Sequence, residues 1–430
     1  MIIVKNFSNY KKFIVFIIFV ILSSILFSYL FSNKFPNIVD NKNNMIFEKI
    51  NFGNGPLILN LINNGEYSSK FFNNLDFVLQ KLPVLPLLIF SISKLTINFY
   101  LIVIIKNLIT FSILFWIIIF YLKSHKLSSN YSFFYFLIFL IPYNLFVSLN
   151  FEYADNIVAI LLPCLFLVLL SNLNQKYALS AFIIFILYLT KTSMFFVCTI
   201  IPFIILLFEK EKKFKFKKNL IFLGPLIAML CWGIFSYIKT DRVAFGTNSL
   251  TVNSLGLTLA SDKRFFQYYP DKSMDLLLGK IIIPKSLKSE WDIFDYFKKK
   301  NKKYFANKDN LINYIKTIPK KIFIILFHIK RDSSHPDENG NYDNKIRYSL
   351  IFNKLFINIS ICLSLFYIFI SIKRKKIYKD DFIFVTILGM SLLPLVAGWA
   401  TAKHLVPVSI LCYYYVVHKY LIIKQLSSNS

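Results

Sequence analysis

The chain reads as an all-α polytopic membrane protein, and three observations carry that reading. Hydrophobic residues make up 56% of its 430 positions, with 48 Phe among them, and mean hydropathy is +0.56. That is well above a water-soluble domain. Apolar runs long enough for the ~30 Å hydrocarbon layer recur from one end of the chain to the other. Many of the lysines gather between those runs, where they orient helices.

The first run, FIVFIIFVILSSILFSYLFS (13–32), is followed by Asn33-Lys34-Phe35-Pro36 rather than a small-residue cleavage site. It is expected to stay as a transmembrane helix. Further spanning candidates fall near 98–122, 131–149, 155–172, 177–190, 193–208, 219–239, 349–372, 381–398 and 404–422. The pair at 177–190 and 193–208 is short and divided by Lys191-Thr192-Ser193. The expected total is ten or eleven crossings, depending on whether 82–95 crosses.

Charge placement orients the map. With a cytoplasmic N-terminus (Lys5, Lys11, Lys12), the inner loops are KSHK (123–126), Lys176, EKEKKFKFKK (209–218), KRKKIYK (373–379) and the Lys424 tail. Short outer turns hold Glu152, Asp155 and Lys403. This agrees with the positive-inside rule if 82–95 lies in the interface instead of crossing. Three units follow: an N-terminal transmembrane module (1–239) that includes an outer loop at 33–97, an extracytoplasmic segment (240–348), and C-terminal helices (349–430). In the second unit, Leu311, Ile312, Ile315 and Ile318 recur at helical spacing, with Pro319 expected to stop that helix. The short apolar stretch 322–330 is expected on the membrane surface.

Several function classes drop out. The net charge of +28 is accounted for by lysines flanking helices, so nucleic acid is not an expected partner. The five cysteines sit in apolar runs without metal-ligand spacing. No nucleotide-binding or calcium-loop spacing occurs, and there are no internal repeats. His335, with Asp332, Asp337 and Glu338, reads as a hydrated turn.

Candidate site residues come from the outer segments and from ionisable groups at membrane depth. Asp40, Glu48, Glu66 and Asp76 are the first loop's carboxylates; such a group can serve as general base or hold a divalent metal. Lys191, between two apolar runs, is a functional candidate by its depth. Arg242, Lys263 and Arg264 open the second outer segment, and Lys403-His404 precedes the last helix. Each could meet a phosphate.

The order of these features resembles the GT-C superfamily of membrane glycosyltransferases, which includes protein mannosyltransferases and lipid A aminoarabinose transferases. Four pieces carry it. Glu48 and Phe52 are followed by a Gly65-Glu66-Tyr67 turn, then comes LPVLPLLIF (82–90). SEWDIFDYF leads to LINYIKTIPKK (311–321), and AKHLVPVSILCYYYV (402–416) closes the chain. The chain departs from the pattern in having Glu48-Lys49 for an aspartate pair, Phe52 for a tyrosine and Lys403 for an arginine.

The resemblance implies an inverting transferase. It would take a sugar from a polyprenyl-phosphate donor to a lipid, glycan or protein acceptor at the outer face of a plasma (inner) membrane, expected to be bacterial. It implies Glu48 or Asp40 as the catalytic carboxylate, with Glu66, Tyr67, Lys191, Arg242, Lys403 and His404 binding substrate. No cofactor is assigned, and a divalent metal stays open. The alternatives are a transporter or flippase of lipid-linked sugars, and a polysaccharide polymerase or ligase.

Overall fold

The computed structural model describes residues 2–34, 38–46, 55–70, 76–79, 82–151, 153–208, 215–244, 284, 286–327, 344–374, 378–397 and 402–428. These are helical apart from loops and a two-residue antiparallel pair, β1 (Ser69–Lys70) with β2 (Asp76–Phe77). Five helices are long and apolar enough to cross a membrane, or six if one sharply bent pair is a single span.

The chain begins with α1 (Ile2–Lys34), then α2 (Gly55–Asn64) and α3 (Val84–Ser93) in the first loop region. Gly65 ends α2 at φ +68, a left-handed conformation that glycine adopts without strain, and its amide bonds back to Leu61 O at 3.1 Å. At ten residues, α3 is about 15 Å long, half the hydrocarbon thickness. Next is α4 (Phe99–Ser124), N-capped by the Asn98 side chain, which accepts from the Leu101 amide.

The 131–149 run, expected as one span, is broken. It comprises α5 (Ser132–Phe136), a 3₁₀ turn and α6 (Pro142–Leu149), and the two halves of the pair meet at 92°. Ile141 is extended because Pro142 follows it.

The remaining helices are α7 (Asp155–Leu170), α8 (Lys176–Tyr188), α9 (Phe195–Phe208), α10 (Lys215–Asn219), α11 (Leu223–Thr240), α12 (Glu290–Phe305), α13 (Lys308–Phe327), α14 (Asn344–Lys373), α15 (Lys379–Ala397) and α16 (Ala402–Ser428). Pro319 does not stop α13, contrary to the sequence expectation; the helix runs through it to Phe327. The proline costs one backbone hydrogen bond, and helical pattern continues on both sides of it. His335 and its acidic neighbours lie outside the described residues.

The core centres on α7. Every residue of it except Leu170 is buried, and it packs against α4, α6, α8 and α16. Around it, α1 lies on α4, α11 on α8, α14 on α16 and α15 on α9. The outward faces of α1, α11 and α14 carry Ile14, Leu22, Leu230, Ile234, Leu363 and Phe366, apolar surface suited to lipid.

One end of the bundle is closed by ion pairs. Lys419 Nζ lies 2.6 Å from Asp380 Oδ2 and 2.5 Å from Asp381 Oδ1. His418 Nε2 is 3.0 Å from Asp380, Tyr121 OH meets His418 Nδ1, and Tyr415 OH donates to Asp381 at 2.6 Å. The network pins the first turn of α15 to α16, with α4 alongside. Removing one partner leaves buried charge uncompensated, so Lys419→Met should cost about 3–5 kcal/mol in reversible unfolding in detergent micelles. Gly224 provides a second check. A Cβ there would stand 2.3 Å from the backbone oxygen of Ala181, so Gly224→Ala should force α8 and α11 apart at a cost of about 1–3 kcal/mol.

Candidate functional site

Three ionisable side chains from distant parts of the sequence meet at the end of the bundle opposite that lock. Asp155 is the first residue of α7, where the positive end of the helix dipole favours an anion. Lys191 comes from the break between α8 and α9. There Thr190 Oγ1 bonds back to Ile186 O at 2.6 Å, Lys191 is extended (φ −151, ψ 128), and Met194 N bonds to Lys191 O at 2.9 Å to start a 3₁₀ turn. His404 lies in the first turn of α16.

Lys191 Nζ contacts Asp155 Oδ1 directly, and His404 Nδ1 is 2.9 Å from each of those atoms. The Asp155 side chain is 4% exposed, against 18% for Lys191 and 21% for His404. The carboxylate is therefore the buried anchor, and the two nitrogen groups form its wetter side. An ammonium can only donate and a carboxylate can only accept. Nδ1 of His404 thus either accepts from Lys191 or, when it carries a proton, donates to Asp155. The proton state of one imidazole decides how the three groups are bonded, a property suited to proton transfer.

The first loop region docks onto this junction. The Val84 amide, at the start of α3, donates to Leu189 O at 3.2 Å, two residues before Lys191. The 38–46 loop is pinned to the start of α4 by Met45 N to Ile97 O (2.8 Å) and Phe99 N to Asn43 O (2.9 Å).

Of the residues expected from sequence, Lys191 and His404 come together. Lys403 lies beside His404 on α16, its side chain outside the described residues. Asp40 is exposed and bonded within its own loop: Oδ1 accepts from the Lys42 and Asn44 amides at 2.8 Å each, and Oδ2 from Asn44 Nδ2 at 3.0 Å. These bonds, the Asn44 amide foremost, hold its carboxyl below the usual range. Glu66 is exposed after the Gly65 turn, while Tyr67 is buried edge-on against Trp232 and Phe235 of α11. Arg242 Nη1 pairs with Asp295 Oδ2 at 2.8 Å and its guanidinium lies 4.3 Å from the Trp291 ring centre. Glu48, Phe52, Lys263 and Arg264 lie outside the described residues. Among the described residues, no group of three or more His, Cys, Asp or Glu side chains is placed to hold a metal ion.

Two further residues were not singled out by sequence reasoning. Asp155 looks there like any turn acid; its sequence mark is the polar string Tyr153-Ala154-Asp155-Asn156 opening an apolar run. Glu290, at the head of α12, is buried, and its Oε2 accepts from the Val78 and Leu79 amides at 3.0 Å each. It fastens the first outer segment to the second. Comparison with protein-family models, curated proteins and solved structures finds no match to this chain.

Burial pushes the Glu290 carboxyl up to about 7 from the usual 4.5, against the downward pull of its two amide hydrogen bonds. A carboxyl raised on folding holds its proton in the folded state while the unfolded chain has lost it. Its contribution to stability is complete below about 4.5 and is lost as pH rises through about 7. Exchange protection of the Val78 and Leu79 amides, corrected for intrinsic rates, should fall over that window in the native protein and stay level in Glu290→Gln.

Proposed function

We propose that the chain is an integral membrane glycosyltransferase of GT-C type. It moves a sugar from a polyprenyl-phosphate donor to a lipid, glycan or protein acceptor at the outer face of a plasma membrane. The observation that carries this reading is the convergence of Asp155, Lys191 and His404 at the end of the bundle where the first loop region docks. A carboxylate, an imidazole and an ammonium in mutual contact are what one inverting displacement needs. In that step the acceptor hydroxyl gives up its proton as its oxygen attacks the anomeric carbon, and the bond to the leaving phosphate breaks.

His404, oriented by Asp155, is a candidate base beside the loop acids Asp40 and Glu48. Lys191, with Lys403 next to His404, offers positive charge where the phosphate gains negative charge. The proposed topology has ten crossings, N-terminus inside. Beyond the five long helices it requires the bent pair ending in α6, together with α7, α8, α9 and α15, to cross, the 16-residue α7 and 13-residue α8 through locally thinned or tilted bilayer.

Lipid-linked-sugar transport is the second reading, favoured by one observation: the helix break at 189–191 carries an ionisable side chain, as broken helices in transporters do. A single reconstitution separates the two. In proteoliposomes given a panel of labelled polyprenyl-phosphate sugars together with lipid, glycan and peptide acceptors bearing free hydroxyls, the native protein should form glycosidic product, and Asp155→Asn or His404→Gln should lower the rate about 100-fold or more while inserting normally. Full transfer by both variants would remove this site from the chemistry. Donor translocation with no glycosidic product would establish transport instead.

A further inference from the structure

We propose that Lys106 is a positioning residue that sets where the Asp155 carboxylate lies. The inference rests on reading the Asp155 cluster as the functional site, and it deepens that reading.

Lys106 stands in α4 and is completely buried. Its Nζ points at the carbonyl oxygens of Asn150 (2.7 Å), Leu149 (3.0 Å) and Ser148 (3.5 Å). These carbonyls close α6, and a helix end leaves its last carbonyls without partners in the helix. A lysine Nζ has no role as acceptor in this ring of carbonyls, and it donates to those within reach, the Asn150 oxygen nearest. The neighbouring Asn107 adds Nδ2 bonds to Leu149 O at 3.4 Å and to Ser24 Oγ of α1 at 3.0 Å. The turn after α6 is therefore gripped from α4 and braced against α1.

From that turn the connection to the site is short. The Asn150 carbonyl that takes the shortest Lys106 bond also accepts from Asn156 Nδ2. Asn156 is the residue after Asp155, and its own amide bonds to Tyr153 O at 3.2 Å. One carbonyl thus joins the lysine to the first turn of α7. A bare capping role would need only the α6 carbonyls. The shared oxygen makes the same lysine fix the register of 150–156, and with it the distance from Asp155 to Lys191 and His404.

The test reads geometry rather than turnover. The full chain, labelled with ¹⁵N-histidine, is placed in lipid nanodiscs. The Nδ1 resonance of His404, one of five histidines, is assigned by its loss in His404→Gln. Asp155→Asn defines the shift produced by losing the carboxylate contact. Lys106→Met is expected to move the resonance in the same direction. Asp155→Asn deletes a negative charge and Lys106→Met can delete none, so a pure through-space effect cannot give shifts of the same sign. A Lys106→Met resonance at the native position, or shifted the other way, overturns the proposal.

Should Lys106→Met fail to insert, Asn156→Ala decides the matter, since it cuts the link without changing charge. A shift in the Asp155→Asn direction supports the proposal, and a native resonance overturns it. None of this requires sugar transfer. A native protein inactive towards every donor would overturn the proposed activity and leave the resonance test standing.

Discussion

The burial of α7 is the constraint on which the rest of the structure depends. A helix enclosed along its whole length has no water for its polar ends, and at 16 residues it is about 24 Å long, shorter than the hydrocarbon layer. Its terminal groups must be met by other helices. At one end His125 Nε2 lies 3.1 Å from the Leu170 carbonyl, and Ser171 Oγ donates to Val168 O at 2.7 Å. At the other end stand Asp155 and Asn156, with Lys191, His404 and the Asn150 carbonyl around them. An apolar residue at the head of α7 would leave Lys191 without its carboxylate, the same kind of loss that Lys419→Met brings at the other end.

The two charge clusters share α16, which carries His404 near its start and His418 and Lys419 about four turns further on. Together they leave α16 little freedom to slide along α7 and α15, whose apolar side chains alone would allow many similar packings. Polar groups in a low-dielectric interior set register in this way because a misplaced partner is costly. The opposite-end lock thus contributes to the site's geometry from the far side of the bundle.

Helix positions were legible because the apolar runs are long. The run at 98–122 became Phe99–Ser124, and 404–422 became part of Ala402–Ser428. Two proline positions were not. Pro142 follows the extended Ile141 at the 92° bend of one expected span, whereas Pro319 sits inside an unbroken helix. A proline removes one donor in either setting, and only the surrounding packing decides whether the chain bends there. Lys191 was legible through its depth between two apolar runs. Asp155 was not, because its histidine partner lies 249 positions away and no local pattern records such a pairing. Lys106, the one charge in its run, carried the same signal as Lys191 and was hidden by the length of the apolar sequence on either side. The function cannot be taken from the fold, since helical bundles of this kind house many activities; it has to be argued from the cluster.

The site is also tied mechanically to the outer segments. Arg242, just past the end of α11, holds α12 through Asp295 and the Trp291 ring. The head of α12 grips the amides of residues 78 and 79 through Glu290. Pro83 stands at the start of α3 and Pro86 within it, and fixed φ angles make that entry stiff. The first amide of α3 then bonds to the Leu189 carbonyl, two residues from Lys191. The links are an ion pair, a ring contact and hydrogen bonds to backbone groups, so the outer segments and the helix break are held at several separate points. Lys191 is therefore placed by contacts from outside the bundle, through the Leu189 carbonyl, as well as by Asp155 and His404 within it.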